Sequence, residues 1–197
     1  MKSREHEKEF LRILEEVYKS NYNLLYNYGL KFMANPVLIQ DFIQEIFIRL
    51  CKRSTLQDIS DIKVYLLRAM RNMVYDHHAT AYENVSVDEM EFMLPEDTEA
   101  FESFFFSRDD EEVKQYRLLL KHINALPPQQ KQILYLFYVK GLSHKEIAEI
   151  LDINPQSSMN SLYKSVQRLR AIFKDSSLSK YRQEALLMVA FLSVLFP

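Results

Sequence analysis

Two glycines in 197 residues constrain this chain more than any other feature. Glycine supplies the positive φ that tight hairpins and phosphate-cradling loops require. A chain holding only Gly29 and Gly141 has little means of building either. All-β architecture and Gly-rich nucleotide loops are therefore excluded, and the expected class is all-α. A single cysteine, Cys51, excludes a disulfide framework and a Cys-based zinc cluster. There is no run of about 18 apolar residues, so no membrane span is expected. The N-terminus, Met1-Lys-Ser-Arg-Glu-His, lacks the apolar core of a signal peptide. The expected setting is reduced and cytoplasmic.

Apolar residues recur at helical spacing from Phe10 to Tyr28, then from about Val37 to Lys52 and from Ile62 to His78. Pro36 breaks the first pattern and suits the first turn of the second helix. Periodicity fades over 79–112 and resumes from Glu112 to Ala125, where Leu126-Pro127-Pro128 stops it. Helices follow at Gln129–Lys140, with Gly141 as C-terminal cap, then at Ser143–Leu151 and Pro155–Lys174. Two helical domains are expected, over 1–82 and 112–176. An acidic linker over 83–111 joins them, and an apolar C-terminal helix occupies 177–197.

Charge divides along the same lines. Residues 83–112 hold twelve acids and one base, Arg108, whereas 113–197 hold twelve bases and five acids. A basic block beside an acidic one suggests a polyanion partner for the first and a linker or solvated loop for the second. Phe101, Phe104, Phe105 and Phe106 imply that part of the acidic stretch docks on something. In the tail, Ala185–Phe196 is apolar at every position but Ser193. As a helix it would span about 18 Å, too short for a bilayer, so it either covers a groove of its own chain or meets a partner.

Enzyme readings find no support. None of the five histidines, His6, His77, His78, His122 and His144, has Glu three residues before it, and no His-Glu-x-x-His occurs. His77 and His78 are adjacent and point about 100° apart on a helix, a poor metal pair. No metal, cofactor, catalytic residue or small-molecule substrate is expected.

The strongest local pattern lies between Gly141 and Arg170. Ser143 and Glu146 form a capping box, Ala148 is small where helices cross, Ile153 plugs the turn, and Pro155 opens a second helix. This is a helix-turn-helix arrangement. On the second helix Met159, Leu162, Val166, Leu169 and Phe173 are expected to share the inner face. Ser157, Asn160, Ser161, Lys164 and Arg168 share the outer one. Pro155–Lys174 contains no acid. A polar face carrying only positive charge fits a major groove, where amides and hydroxyls read base edges and cations meet phosphates. An ordinary amphipathic helix pair shows the same periodicity. The small crossing residue, short turn and acid-free face favour DNA.

Two earlier faces carry a second signal. Arg68, Arg71, Asn72 and Tyr75 fall at i, i+3, i+4 and i+7 on the third helix, with Tyr65 and His78 at the margins. Arginine beside tyrosine suits unpaired bases, although a solvated basic face reads the same way. On the second helix Asp41, Gln44, Glu45, Ile48, Arg49 and Lys52 lie outward, and an outward Ile48 hints at docking.

Together these blocks resemble the extracytoplasmic-function sigma factors of bacterial RNA polymerase. Asp41-Phe-Ile-Gln44-Glu45-Ile-Phe47 resembles the core-polymerase docking helix, and Tyr65-Leu-Leu-Arg68-Ala-Met-Arg71-Asn72 the promoter-melting helix. Leu126-Pro127, Gly141-Leu-Ser143 and Glu146-Ile-Ala148 are similar to the upstream-element domain. The resemblance implies a transcription initiation factor that binds core RNA polymerase, recognises two promoter elements and assists strand opening. By that carry-over Asp41, Gln44, Glu45 and Ile48 meet the polymerase, and Arg68, Arg71, Asn72, Tyr75 and His78 hold the melted element. Gln156, Ser157, Asn160, Ser161, Lys164 and Arg168 meet the upstream element. An anti-sigma factor is an implied partner, and the acidic stretch would lie in polymerase channels normally occupied by nucleic acid. Some positions depart from the family pattern. Cys51 replaces an aromatic and Asp152 a turn glycine, Ser158 stands where valine points inward, and Met159 where a base is common. The alternatives are a helix-turn-helix regulator without a polymerase role and a helical adaptor for other proteins.

Overall fold

The computed structural model describes residues 2–53, 55–81, 91–94, 117 and 120–174, and all regular elements among them are helical. The chain divides into two compact units, Met1–Met90 and Glu91–Pro197.

Three helices build the first unit: α1 (Lys2–Gly29), α2 (Pro36–Cys51) and α3 (Ile62–Ala81). α1 extends well before the apolar spacing begins at Phe10. Its early turns are rich in Glu, Lys and Arg, good helix formers. Pairs such as Glu9–Arg12 at 2.8 Å and Glu15–Lys19 at 2.6 Å stitch successive turns. α2 starts because Asn35 Oδ1 accepts the Leu38 N–H at 3.1 Å while Pro36 fills the first helical position. Asp61 caps α3 in the same way, accepting from Val64 N–H at 3.0 Å.

Each helix packs on the other two. Ile39, Ile43, Ile46 and Leu50 of α2 meet Leu25 and Tyr28 of α1 and Leu66, Leu67, Met70 and Val74 of α3 in a fully buried core. Gly29 permits the closest approach. A Cβ there would lie 2.8 Å from Ile39 Cγ2, nearer than two carbons can sit.

The second unit begins with an extended strap, residues 91–94, inside the stretch expected to be linker. Phe92 and Leu94 are fully buried, and Phe92 meets the ring of Tyr135 edge-on at 5.6 Å. Asn124 clamps the strap. Its Oδ1 accepts the Leu94 N–H at 3.1 Å, and its Nδ2 donates to the Leu94 carbonyl at 2.9 Å. Lys131 lies beneath, donating from Nζ to the Asn124 carbonyl at 3.2 Å and sitting 3.7 Å from Met93 Sδ. Burial lowers the Lys131 pKa.

Residues 120–124 are helical and end at Leu126-Pro127, where α4 (Pro128–Leu134) begins. α4 does not continue as α-helix to Lys140. It widens into a π-turn, Tyr135–Val139, closed by Lys140 N–H donating to the Tyr135 carbonyl at 3.2 Å. Gly141 then ends the element at φ 66°. α5 (His144–Leu151) follows, and α6 (Pro155–Lys174) packs on both α4 and α5.

The other acids of 83–112, the four phenylalanines at 101 and 104–106, the side chain of Phe173 and the apolar segment 177–197 lie outside the described residues.

Candidate nucleic-acid and partner interfaces

The helix-turn-helix is assembled as the sequence predicts. Ser143 Oγ accepts the Glu146 N–H at 3.3 Å, and Glu146 Oε2 accepts the Ser143 N–H at 2.6 Å, completing the capping box. Asp152 leaves α5 in the left-handed region at φ 57°. Asp tolerates this conformation better than most residues, so it serves where a turn glycine is usual. Ile153, half-buried, donates its N–H to the Ala148 carbonyl at 3.0 Å and closes the turn. Asn154 then caps α6, its Oδ1 accepting the Ser157 N–H at 2.7 Å. Asn154-Pro155 repeats the Asn35-Pro36 start of α2. The sequence pattern locates both prolines but neither cap.

The inner face of α6 differs from expectation. Ser158, Leu162, Ser165 and Leu169 are buried, whereas Met159 is 48% exposed. Two serines thus replace the apolar residues that periodicity favoured. Each hydroxyl is satisfied: Ser158 Oγ lies 2.9 Å from His144 Nδ1, and Ser165 Oγ donates to the Ser161 carbonyl at 2.8 Å. Buried hydroxyls are tolerable only when paired in this way. The His144 ring also stacks on Phe137, centroids 4.9 Å apart. Val166 is only half-buried.

Turning Ser158 inward sets the outer face. Gln156, Ser157, Asn160, Lys164 and Arg168 are exposed and Ser161 is half-buried, so the six residues expected there share one outer surface. Gln156 Nε2 donates to Asn160 Oδ1 at 3.0 Å, aligning two amides on the first two turns. Tyr163, which periodicity did not single out, is 65% exposed on the same surface.

On α2, Asp41, Gln44 and Ile48 are exposed and Glu45 half-buried, forming a stripe at i, i+3, i+4 and i+7. Ile48 is 47% exposed, an apolar side chain on an otherwise polar stripe. Glu45 pairs with Arg49 Nε at 2.9 Å along the helix. Such an exposed pair contributes about 0.3–0.5 kcal/mol, so either member can exchange it for a partner at little cost.

α3 separates its expected set in two. Arg68 and Asn72 are exposed one turn apart. Arg71 and His78 are half-buried, and Tyr75 is 9% exposed. The Arg71 guanidinium lies 4.1 Å over the Tyr75 ring, and Phe32 meets that ring edge-on at 5.9 Å. One face of Tyr75 is therefore covered by its own chain. Tyr65 is half-buried, with Arg53 placed 5.8 Å over its ring.

Comparison with known proteins gives these surfaces a context. Residues 17–82 match Sigma-70 region 2, and residues 116–169 match Sigma-70, region 4. The chain belongs to the sigma-70 family. Within the family it is an extracytoplasmic-function sigma factor. It is 24% identical over 163 residues to the ECF RNA polymerase sigma factor SigM of Bacillus subtilis (strain 168), covering 81% of this chain and 94% of that one. A sigma factor of this kind is a polymerase-binding initiation factor that recognises promoter DNA. The region 2 match covers α2 and α3, elements that a plain helix-turn-helix regulator has no use for. Among the described residues, no helix is long and apolar enough to cross a membrane, and no cluster of His, Cys, Asp and Glu could hold a metal.

Proposed function

We propose that this sigma factor divides its work among three surfaces. The α2 stripe of Asp41, Gln44, Glu45 and Ile48 docks on core polymerase: the polar groups give orientation, and the exposed Ile48 gives an apolar contact worth desolvating. Arg68 and Asn72 hold the phosphates and unpaired bases of the melted strand. Arg71 is braced against Tyr75 by a cation–π contact, and His78 flanks the same surface. Tyr75 acts as a support for arginine rather than as a stacking platform. The outer face of α6 enters the major groove of the upstream element. Gln156, Asn160 and Ser161 meet base edges, and Lys164 and Arg168, with Ser157 near the helix N-terminus, meet the backbone. Strand opening draws on binding free energy, and the chain performs no covalent chemistry. It works in the cytoplasm, and an anti-sigma factor competes for these surfaces.

The observation that carries this reading is the inward placement of Ser158, Leu162, Ser165 and Leu169, which leaves α6 a continuous outer face without a single acid. The docking half is tested by Gln44→Ala and Glu45→Ala. Each should weaken association with core polymerase by about 1 kcal/mol or more while the helical circular-dichroism signal stays unchanged. Undiminished association of the double variant would contradict the assignment.

A further inference from the structure

The reading face of α6 is not wholly polar. Met159 and Tyr163 are 48% and 65% exposed, two large apolar bodies on a helix otherwise covered by amides, hydroxyls and cations. They stand one turn apart, in the N-terminal half that a recognition helix presents to base edges. Their Cβ atoms are about 5–6 Å apart, against a base-pair rise of about 3.4 Å, so the pair spans one or two base steps. Neither is needed to close the core, because Ser158 and Leu162 occupy the adjoining inward positions. Solvent-facing methionine and tyrosine bring a desolvation gain only against an apolar partner. The charge of the helix decides what that partner is. With Lys164, Arg168 and Arg170 and no acid from Pro155 to Lys174, the surface attracts a polyanion. The one apolar group that a DNA major groove offers is the C5-methyl of thymine.

We infer that Met159 and Tyr163 read thymine methyl groups in the upstream element, beside the amide pair of Gln156 and Asn160, which suits the adenine N6 and N7 edge. This rests on the assignment of α6 to the upstream element and adds which base pairs it selects: A·T pairs at adjacent or next-adjacent steps. A sequence-blind phosphate clamp would require neither side chain.

The experiment begins with the full chain bound to core polymerase and a duplex whose upstream element is selected from a randomised library. That element is resynthesised with deoxyuracil replacing thymine one position at a time, which removes the methyl and nothing else. Loss of one buried methyl contact weakens binding about fourfold. The parental protein should show that loss at one or two positions. Met159→Ala should abolish the sensitivity at one of them, and Tyr163→Ala at the same or the neighbouring one. Both residues are exposed, so the variants fold; an unchanged helical circular-dichroism signal and an unchanged denaturation midpoint of the second unit verify this. Deoxyuracil tolerated at every position, a selected element without thymine, or equal sensitivity in the parent and both variants overturns the inference and leaves the upstream-element assignment standing. Failure to select any upstream element overturns both.

Discussion

Ser158 shows how far a single position can redirect a helix. A hydroxyl in the core of a helix-turn-helix loses water, and the contact with His144 Nδ1 at 2.9 Å restores the lost hydrogen bond. The cost falls where the pair is split. Ser158→Ala should destabilise the second unit by about 1 kcal/mol, read from chemical denaturation, because it removes one partner of a buried hydrogen bond. Adding His144→Phe should recover much of that loss, since a ring still stacks on Phe137 and no polar atom is left unpaired. A double variant no more stable than Ser158→Ala would show that the contact is incidental. The same position explains why periodicity misplaced Met159. A hydropathy stripe assigns methionine inward and serine outward, and nothing in the residue types announces that a histidine fourteen positions earlier will satisfy the serine. Tyr75 occupies its expected place on the wheel, but the Arg71 and Phe32 contacts that cover one face of its ring come from tertiary packing, which the wheel does not carry.

Helix boundaries are legible where a proline, a capping box or a glycine sets them, but the lone side-chain caps Asn35, Asp61 and Asn154 are not. The capping box at Ser143, Gly141 after the last turn, and proline at the start of α2 and α6 all act within a few residues, so spacing alone locates them, whereas Asp152 stands out only against the family pattern. Elements that depend on distant partners were not legible. The π-turn at Tyr135–Val139 has no residue signature distinguishing it from α-helix. Residues 91–94 read as linker because they sit in an acidic stretch, yet Phe92 and Leu94 are alternating apolar residues, the pattern of a segment with one face buried. Their partner, Asn124, lies thirty residues away and donates and accepts like a neighbouring strand. Asn124→Ala should release the strap and destabilise the second unit by about 1–3 kcal/mol, because two backbone groups of Leu94 lose their partner. Faster hydrogen exchange at the Leu94 amide would accompany the loss. Unchanged protection there would contradict the clamp.

Both units join small cores to exposed polar faces, and their pH response follows from what the cores hold. Burial of Tyr135 pushes its phenol well above the ordinary value of 10.0. The folded chain then keeps a proton that the unfolded chain loses above pH 10. The associated stability is complete below that pH and falls above it by up to about 1.4 kcal/mol per pH unit. Lys131 acts oppositely. Its pKa is lowered from 10.5, so its contribution grows as pH rises through the lowered value and is complete above 10.5. Beyond that point the tyrosine dominates, and Tyr135→Phe should flatten the alkaline fall in unfolding free energy; an identical alkaline limb would contradict this assignment of the titration. These cores matter because they hold two cationic surfaces on one chain that joins polymerase to a promoter. Run-off transcription tests that claim most directly, using the purified chain, core polymerase and a randomised promoter library. The account predicts discrete transcripts that require the chain, arise from templates sharing two separated elements, and diminish when Arg68 and Asn72 are both replaced by alanine. Transcription that is no different with and without the chain, on every template, would contradict it.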